Sequence, residues 1–137
     1  MPGTLFSEAL QSKLLTKASV RTEPRGAVLF RRGEPSSGIY LVRKGSISLQ
    51  LEAGGKTIWD RTVFPGAIIG LPSSLSEGRC SLTAVTLEEC ELAFVERLAL
   101  IELMKSDPAV SLEVVHAVGE EVLRMREYLT QHGATVQ

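Results

Sequence analysis

Gly66-Ala67-Ile68-Ile69-Gly70-Leu71-Pro72-Ser73-Ser74-Leu75-Ser76-Glu77-Gly78-Arg79-Cys80-Ser81-Leu82-Thr83-Ala84-Val85-Thr86 reads as an apolar strand end, a glycine turn, a short helical turn, a Gly-Arg corner and a new strand. Gly70 lets the backbone turn where a Cβ would clash. Pro72 fits the first turn of a helix, where its missing N–H costs nothing. Ser73, Ser74 and Ser76 place hydroxyls beside that turn, and Arg79 follows. Free N–H groups of a helical turn, with hydroxyls and a guanidinium nearby, are the ingredients of an anion site.

Upstream, the hydrophobic period is that of strands. Val20, Val28–Phe30, Ile39–Val42, Ile47–Leu51, Ile58-Trp59 and Ile68-Ile69 are short apolar runs. They are parted by Pro24-Arg25-Gly26, Gly33-Glu34-Pro35, Lys44-Gly45, Gly54-Gly55 and Pro65-Gly66. Short β-rich runs punctuated by Gly and Pro argue for an all-β roll or barrel. Ser46 to Leu51 alternates polar and apolar, as a half-buried strand does, and Gly54-Gly55 is a hairpin turn. Two more runs follow, Ser81–Thr86 and Glu91–Val95.

Helices flank this β region. Leu5, Phe6, Ala9, Leu10, Leu14 and Leu15 have amphipathic helical spacing. Arg97 to Lys105 reads as a second helix, and Asp107-Pro108 caps and opens a longer one running to about Gln131. In it Val115, Val118, Val122, Met125 and Leu129 are spaced three, four, three, four, the seam of a coiled coil. Leu112, Gly119 and Leu123 lie beside that seam and are expected to pack on the roll. The alternative is one broad apolar face buried within a monomer.

Composition bounds the rest. The 137 residues suffice for one domain with a real core. A net charge of −1 gives no field favouring nucleic acid or an anionic membrane. The start, Met1-Pro2-Gly3-Thr4, is no signal peptide, and no apolar run suits a membrane span, so a cytoplasmic protein is expected. Cys80 and Cys90 are too few for a disulfide scaffold. They fall on what read as adjacent strands, so a bridge is geometrically conceivable. Cys80 reads as a small buried residue or as a redox thiol. His116 and His132 have no partners at ligand spacing, and no nucleophile–base pair appears, so neither a metal nor catalysis is expected.

Gly26-Ala27-Val28-Leu29-Phe30-Arg31-Arg32-Gly33-Glu34-Pro35-Ser36-Ser37-Gly38-Ile39-Tyr40-Leu41-Val42-Arg43-Lys44-Gly45 resembles the two strands and Gly-Glu/Asp-Pro turn of cyclic-nucleotide-binding domains. The opening stretch resembles their phosphate-binding cassette, and the order of elements resembles the effector domains of CRP/FNR regulators. The resemblance, covering Leu5 to Leu129, implies a mainly β fold: a double-stranded β-helix, or jelly-roll-like β-roll, with a short N-terminal helix and a long C-terminal dimerisation helix. One domain over residues 1–137 is expected. Residues 4–17 form its first helix, 18–96 the roll with cassette 66–86, and 97–131 the closing helices. It implies a ligand-sensing regulatory role, a homodimer through the last helix, and a cyclic nucleotide or another small anion as effector. The alternative is a ligand-free dimerisation module.

The cassette residues carried over are Gly70, Leu71, Ser73, Ser74, Arg79, Cys80 and Ser81. Gly70 matches the family's Gly, but Leu71 stands where cyclic-AMP binders have a ribose-holding Glu. Cys80 stands at the phosphate-pairing Arg, and Ser81 at the Ser after it. Arg79 is one residue early, which on a strand faces the other way. Each lost charged contact is expected to cost about 2–5 kcal/mol of affinity. Tight cyclic-AMP binding is therefore not expected. Met125 and Arg126 also replace small hydroxyl residues of the purine-contacting helix. The residues after Gln131 hold no winged helix-turn-helix, so direct DNA binding by this chain is not expected, whether it is a stand-alone sensor or a piece of a longer regulator.

Overall fold

The computed structural model describes residues 7–71 and 78–131. A helix α1 (Glu8–Leu15) leads into eight strands, β1 (Ser19–Glu23), β2 (Val28–Phe30), β3 (Gly38–Lys44), β4 (Ile47–Ala53), β5 (Lys56–Val63), β6 (Ile68–Ile69), β7 (Thr83–Thr86) and β8 (Cys90–Glu96). Two helices close the chain, α2 (Arg97–Ser106) and α3 (Pro108–Gln131).

The strands form two four-stranded antiparallel sheets, ordered β1-β8-β3-β6 and β2-β7-β4-β5. Successive side chains of a strand point to opposite faces, and β3 and β8 use both. Ile39, Leu41, Ala93 and Val95 join Leu10, Leu14, Leu71, Leu100, Val110, Val114 and Ala117 in a cluster between sheet and helices. Tyr40, Val42, Leu92 and Phe94 turn the other way. They meet Ile47, Leu49, Trp59, Val63 and Ala84 of the second sheet. The mainly β roll with flanking helices is what the sequence led one to expect.

The faces of α3 differ from expectation. Val110, Val114 and Ala117 are buried against the roll, with Val118 packed beside them. Leu112 and Leu123, expected to pack there, are exposed at 74% and 56%, and Gly119 is exposed too. A helix brings residues three and four apart onto one face. The row Val110, Val114, Ala117 therefore leaves Leu112 and Leu123 pointing away. The seam residues Val115 and Val122 are exposed as well, and the side chains of Met125 and Leu129 lie outside the described residues.

The cysteines are not on adjacent strands. Cys90 opens β8 in one sheet, whereas Cys80 precedes β7 of the other, and both are free and buried.

Candidate functional site

The corner after the cassette is built by backbone pairing with the β2–β3 turn. The Cys80 N–H donates to the Glu34 carbonyl at 2.7 Å, and the Gly33 N–H donates to the Cys80 carbonyl at 2.8 Å. Pro35 and Arg79 form an isolated antiparallel bridge. The pairing imposes strand-like alternation: Arg79 is exposed and Cys80 is buried. The Arg79 guanidinium donates through Nη1 to the Gly33 carbonyl at 2.8 Å, tying the corner to the turn. Ser81 is exposed. Ser73 and Ser74 lie outside the described residues.

Gly70 takes φ +91°, and a Cβ there would lie 3.0 Å from the Gly38 carbonyl oxygen. A side chain there would be strained by the positive φ and tight against the backbone just ahead of Ile39. Leu71 follows and is 2% exposed, packed in the cluster that holds Leu10, Leu14, Val110 and Val114. A carboxylate at this position would lose its hydration among apolar side chains.

Burial pushes the Cys80 thiol above its usual value, and the Glu34 charge adds to the shift. A thiol raised in this way ionises less readily, which counts against a redox role for Cys80.

Residues that sequence spacing did not single out gather nearby. Tyr40 stacks on Phe30 at 6.2 Å and meets Phe94 at 5.0 Å between ring centroids. The Arg21 guanidinium lies 4.2 Å from the centre of the Phe94 ring, an attractive cation–π geometry. Burial raises the Tyr40 phenol, with Arg21 opposing the shift. Register brings these groups together: Tyr40 faces Phe94 across β3–β8, and Arg21 faces Leu92 across β1–β8. Non-local pairing of this kind has no signal in local periodicity. Arg31 and Arg32 line an open cavity of about 290 Å³ with Glu52 and Thr83. Arg32 holds it in place: its N–H donates to Thr83 Oγ1 at 3.0 Å and its Nη1 to the Glu52 carbonyl at 2.7 Å.

His116 has a carboxylate partner after all, Glu120 Oε1 at 3.0 Å one helical turn away. No group of three metal-ligating side chains occurs among the described residues, and none of their helices is long and apolar enough to cross a membrane.

This geometry has counterparts among known proteins, and residues 20–107 match the family model for the cyclic nucleotide-binding domain. The chain belongs to the cyclic nucleotide-binding domain family. It is 29% identical over 121 residues to the transcriptional regulatory protein btr of Bordetella pertussis, covering 88% of this chain and 49% of that protein. It is 32% identical over 92 residues to the cyclic AMP receptor protein of Thermus thermophilus, covering 66% of this chain and 43% of the relative. The chain thus spans about half the length of the curated relatives it matches. The Thermus thermophilus catabolite activator protein has the same fold, with a TM-score of 0.78 at 24% identity over 93% of this chain and 61% of that one. One of these curated relatives is named as a transcriptional regulator and the other as a receptor.

Proposed function

We propose that the chain is a regulatory sensing domain that does not bind cyclic AMP tightly and assembles as a homodimer through α3. The observation that carries the first half is the pair Leu71 and Arg79. The first is buried among helix and sheet side chains, and the second is turned outward onto the Gly33 carbonyl. Leu71 has no carboxylate for a ribose, the buried Cys80 stands at the phosphate-pairing position, and the neighbouring Arg79 faces the other way, which supports this reading. Losing two charged contacts at about 2–5 kcal/mol each moves a micromolar affinity to about the millimolar range or weaker. Calorimetric titration with cyclic AMP and cyclic GMP, beside a thermal-shift panel of other small anions, tests this reading. The expected result is no heat for either nucleotide below millimolar concentration. Micromolar binding of either would overturn it.

The dimer rests on Leu112, Val115, Val122 and Leu123, which leave apolar surface on the side of α3 away from the roll. Sedimentation should give a dimer that Val115→Glu with Val122→Glu converts to monomer. A wild-type monomer at tens of micromolar, an order of magnitude typical of such assays, would sink the proposal. The burial of both Leu71 and Cys80 favours one second reading, a dimerisation module with no effector. It predicts no stabilisation anywhere in the anion panel, whereas a sensor of another signal predicts one hit.

A further inference from the structure

Two residues, Ser7 at the cap of α1 and Lys13 within it, make polar contacts with the start of α3. The Ser7 N–H donates to Glu113 Oε2 at 2.9 Å, and the Ser7 hydroxyl donates to Glu113 Oε1 at 2.8 Å. The same hydroxyl accepts the Leu10 N–H at 3.1 Å, so it caps α1 while it holds α3. Six residues on, Lys13 Nζ meets Asp107 Oδ2 at 2.5 Å. The apolar face agrees, because Leu10 and Leu14 share a cluster with Val110, Val114 and Ala117.

Asp107 is where the chain leaves α2 and enters α3, with extended backbone angles, φ −136° and ψ 97°. Its carboxylate serves three donors. Oδ2 takes Lys13, and Oδ1 takes the N–H groups of Ala109 and Val110 at 3.1 and 3.4 Å. Those N–H groups are among the four that a helix start leaves without internal partners. Lys13 thus fixes the side chain that caps α3. Among the described side chains of α3, the buried ones, Val110, Val114 and Ala117, lie in its first turns, while Val122 and Leu123 further along are exposed. The Lys13 and Asp107 side chains are 43% and 27% exposed, so water can replace this contact at small cost.

We propose that α1 is a latch on the α2–α3 junction. With Ser7 and Lys13 engaged, the first turns of α3 are capped and held on the sheet. With them released, those turns loosen while the roll stays intact. A ligand or partner that displaces α1 then changes the freedom of α3 without touching the cassette. Lys13 and Ser7 are positioning residues in this device.

Hydrogen exchange followed by mass spectrometry on the full chain tests it. In Ser7→Ala/Lys13→Gln, amides of residues 109–114 should exchange about tenfold faster, the size expected for losing hydrogen bonds to a charged group. Amides of β3 and β8 should be unchanged, and restoring the cation with Lys13→Arg in the Ser7→Ala background should recover most of the protection. Unchanged exchange in α3, equal acceleration in β3 and β8, or no recovery with Lys13→Arg would each overturn the latch. If the double variant does not fold, Glu113→Gln is read by the same criteria, since it weakens the Ser7 contact and keeps the side chain's shape.

Discussion

Gly45 and Gly26 show at single-residue scale how the roll is closed. Both have positive φ, +91° and +82°, but their surroundings differ. A Cβ at Gly45 would lie 2.6 Å from Cys90 Sγ and 2.6 Å from the Glu89 carbonyl oxygen, whereas a Cβ at Gly26 meets nothing within 4 Å. Gly26→Ala therefore carries only backbone strain, about 1 kcal/mol. Gly45→Ala adds the overlap and should cost about 2–4 kcal/mol in total. Urea denaturation of the two variants separates the terms, and equal losses would refute the steric account. Thiol labelling makes a second check at this scale. Burial raises both Cys80 and Cys90 above the usual thiol value. Both should resist a thiol reagent at neutral pH in the native protein and react rapidly once it is unfolded. Fast native labelling of Cys80 would return it to the list of reactive thiols.

α3 shows at the scale of an element what the sequence disclosed and what it withheld. Its start, its Asp107 cap and its opening Pro108 were legible, because capping and period are local properties. Which stripe meets the roll was not, since Leu112 and Val114 are equally apolar and only tertiary packing chooses between them. The same limit applied at the cassette. The identities of Leu71 and Cys80 could be read, but the Arg79 bond to Gly33, 46 residues away in sequence, could not. Val114 is 0% exposed, so Val114→Ala should lose about 2 kcal/mol to the transfer and cavity terms. Leu112→Ala should change monomer stability by less than about 0.5 kcal/mol. Thermal unfolding at a concentration too low for association checks the contrast, and the reverse order would mean the helix is rotated. The junction adds a pH test. The hydrogen bond from Lys13 is the largest influence holding the Asp107 carboxyl below its ordinary 3.8. A depressed acid stabilises the fold above its unfolded value and loses that contribution as pH falls through the folded one. The stability gap between the protein and Asp107→Asn should therefore be constant at neutral pH and shrink below about 3.8. A gap that widens with acid would contradict the assignment.

The whole molecule is two apolar clusters on opposite faces of one sheet. The helices α1, α2 and α3 cover one face through Ile39, Leu41, Ala93 and Val95. The second sheet covers the other through Tyr40, Val42, Leu92 and Phe94. Because β3 and β8 supply alternate residues to both, neither cluster outlasts the loss of those strands. This sharing follows from the two-residue period. The sequence hinted at it only as the unbroken apolar runs Ile39–Val42 and Leu92–Val95, which suit a strand buried on both faces. Cooperativity across the molecule is the consequence, and the chain carries a reporter for each side. Trp59, its single tryptophan, is 6% exposed inside the roll, while the helical circular dichroism arises on the opposite face of the sheet. Denaturant titration followed by both signals should give one transition with coincident midpoints, as two-state unfolding requires. Leu92→Ala, cut into the roll side at a 0% exposed position, should move both midpoints together by the equivalent of about 2–5 kcal/mol. Were the helical signal to keep its midpoint while the Trp59 signal moved, the helices would stand without the roll, and the shared sheet would not be what joins the two halves of the fold.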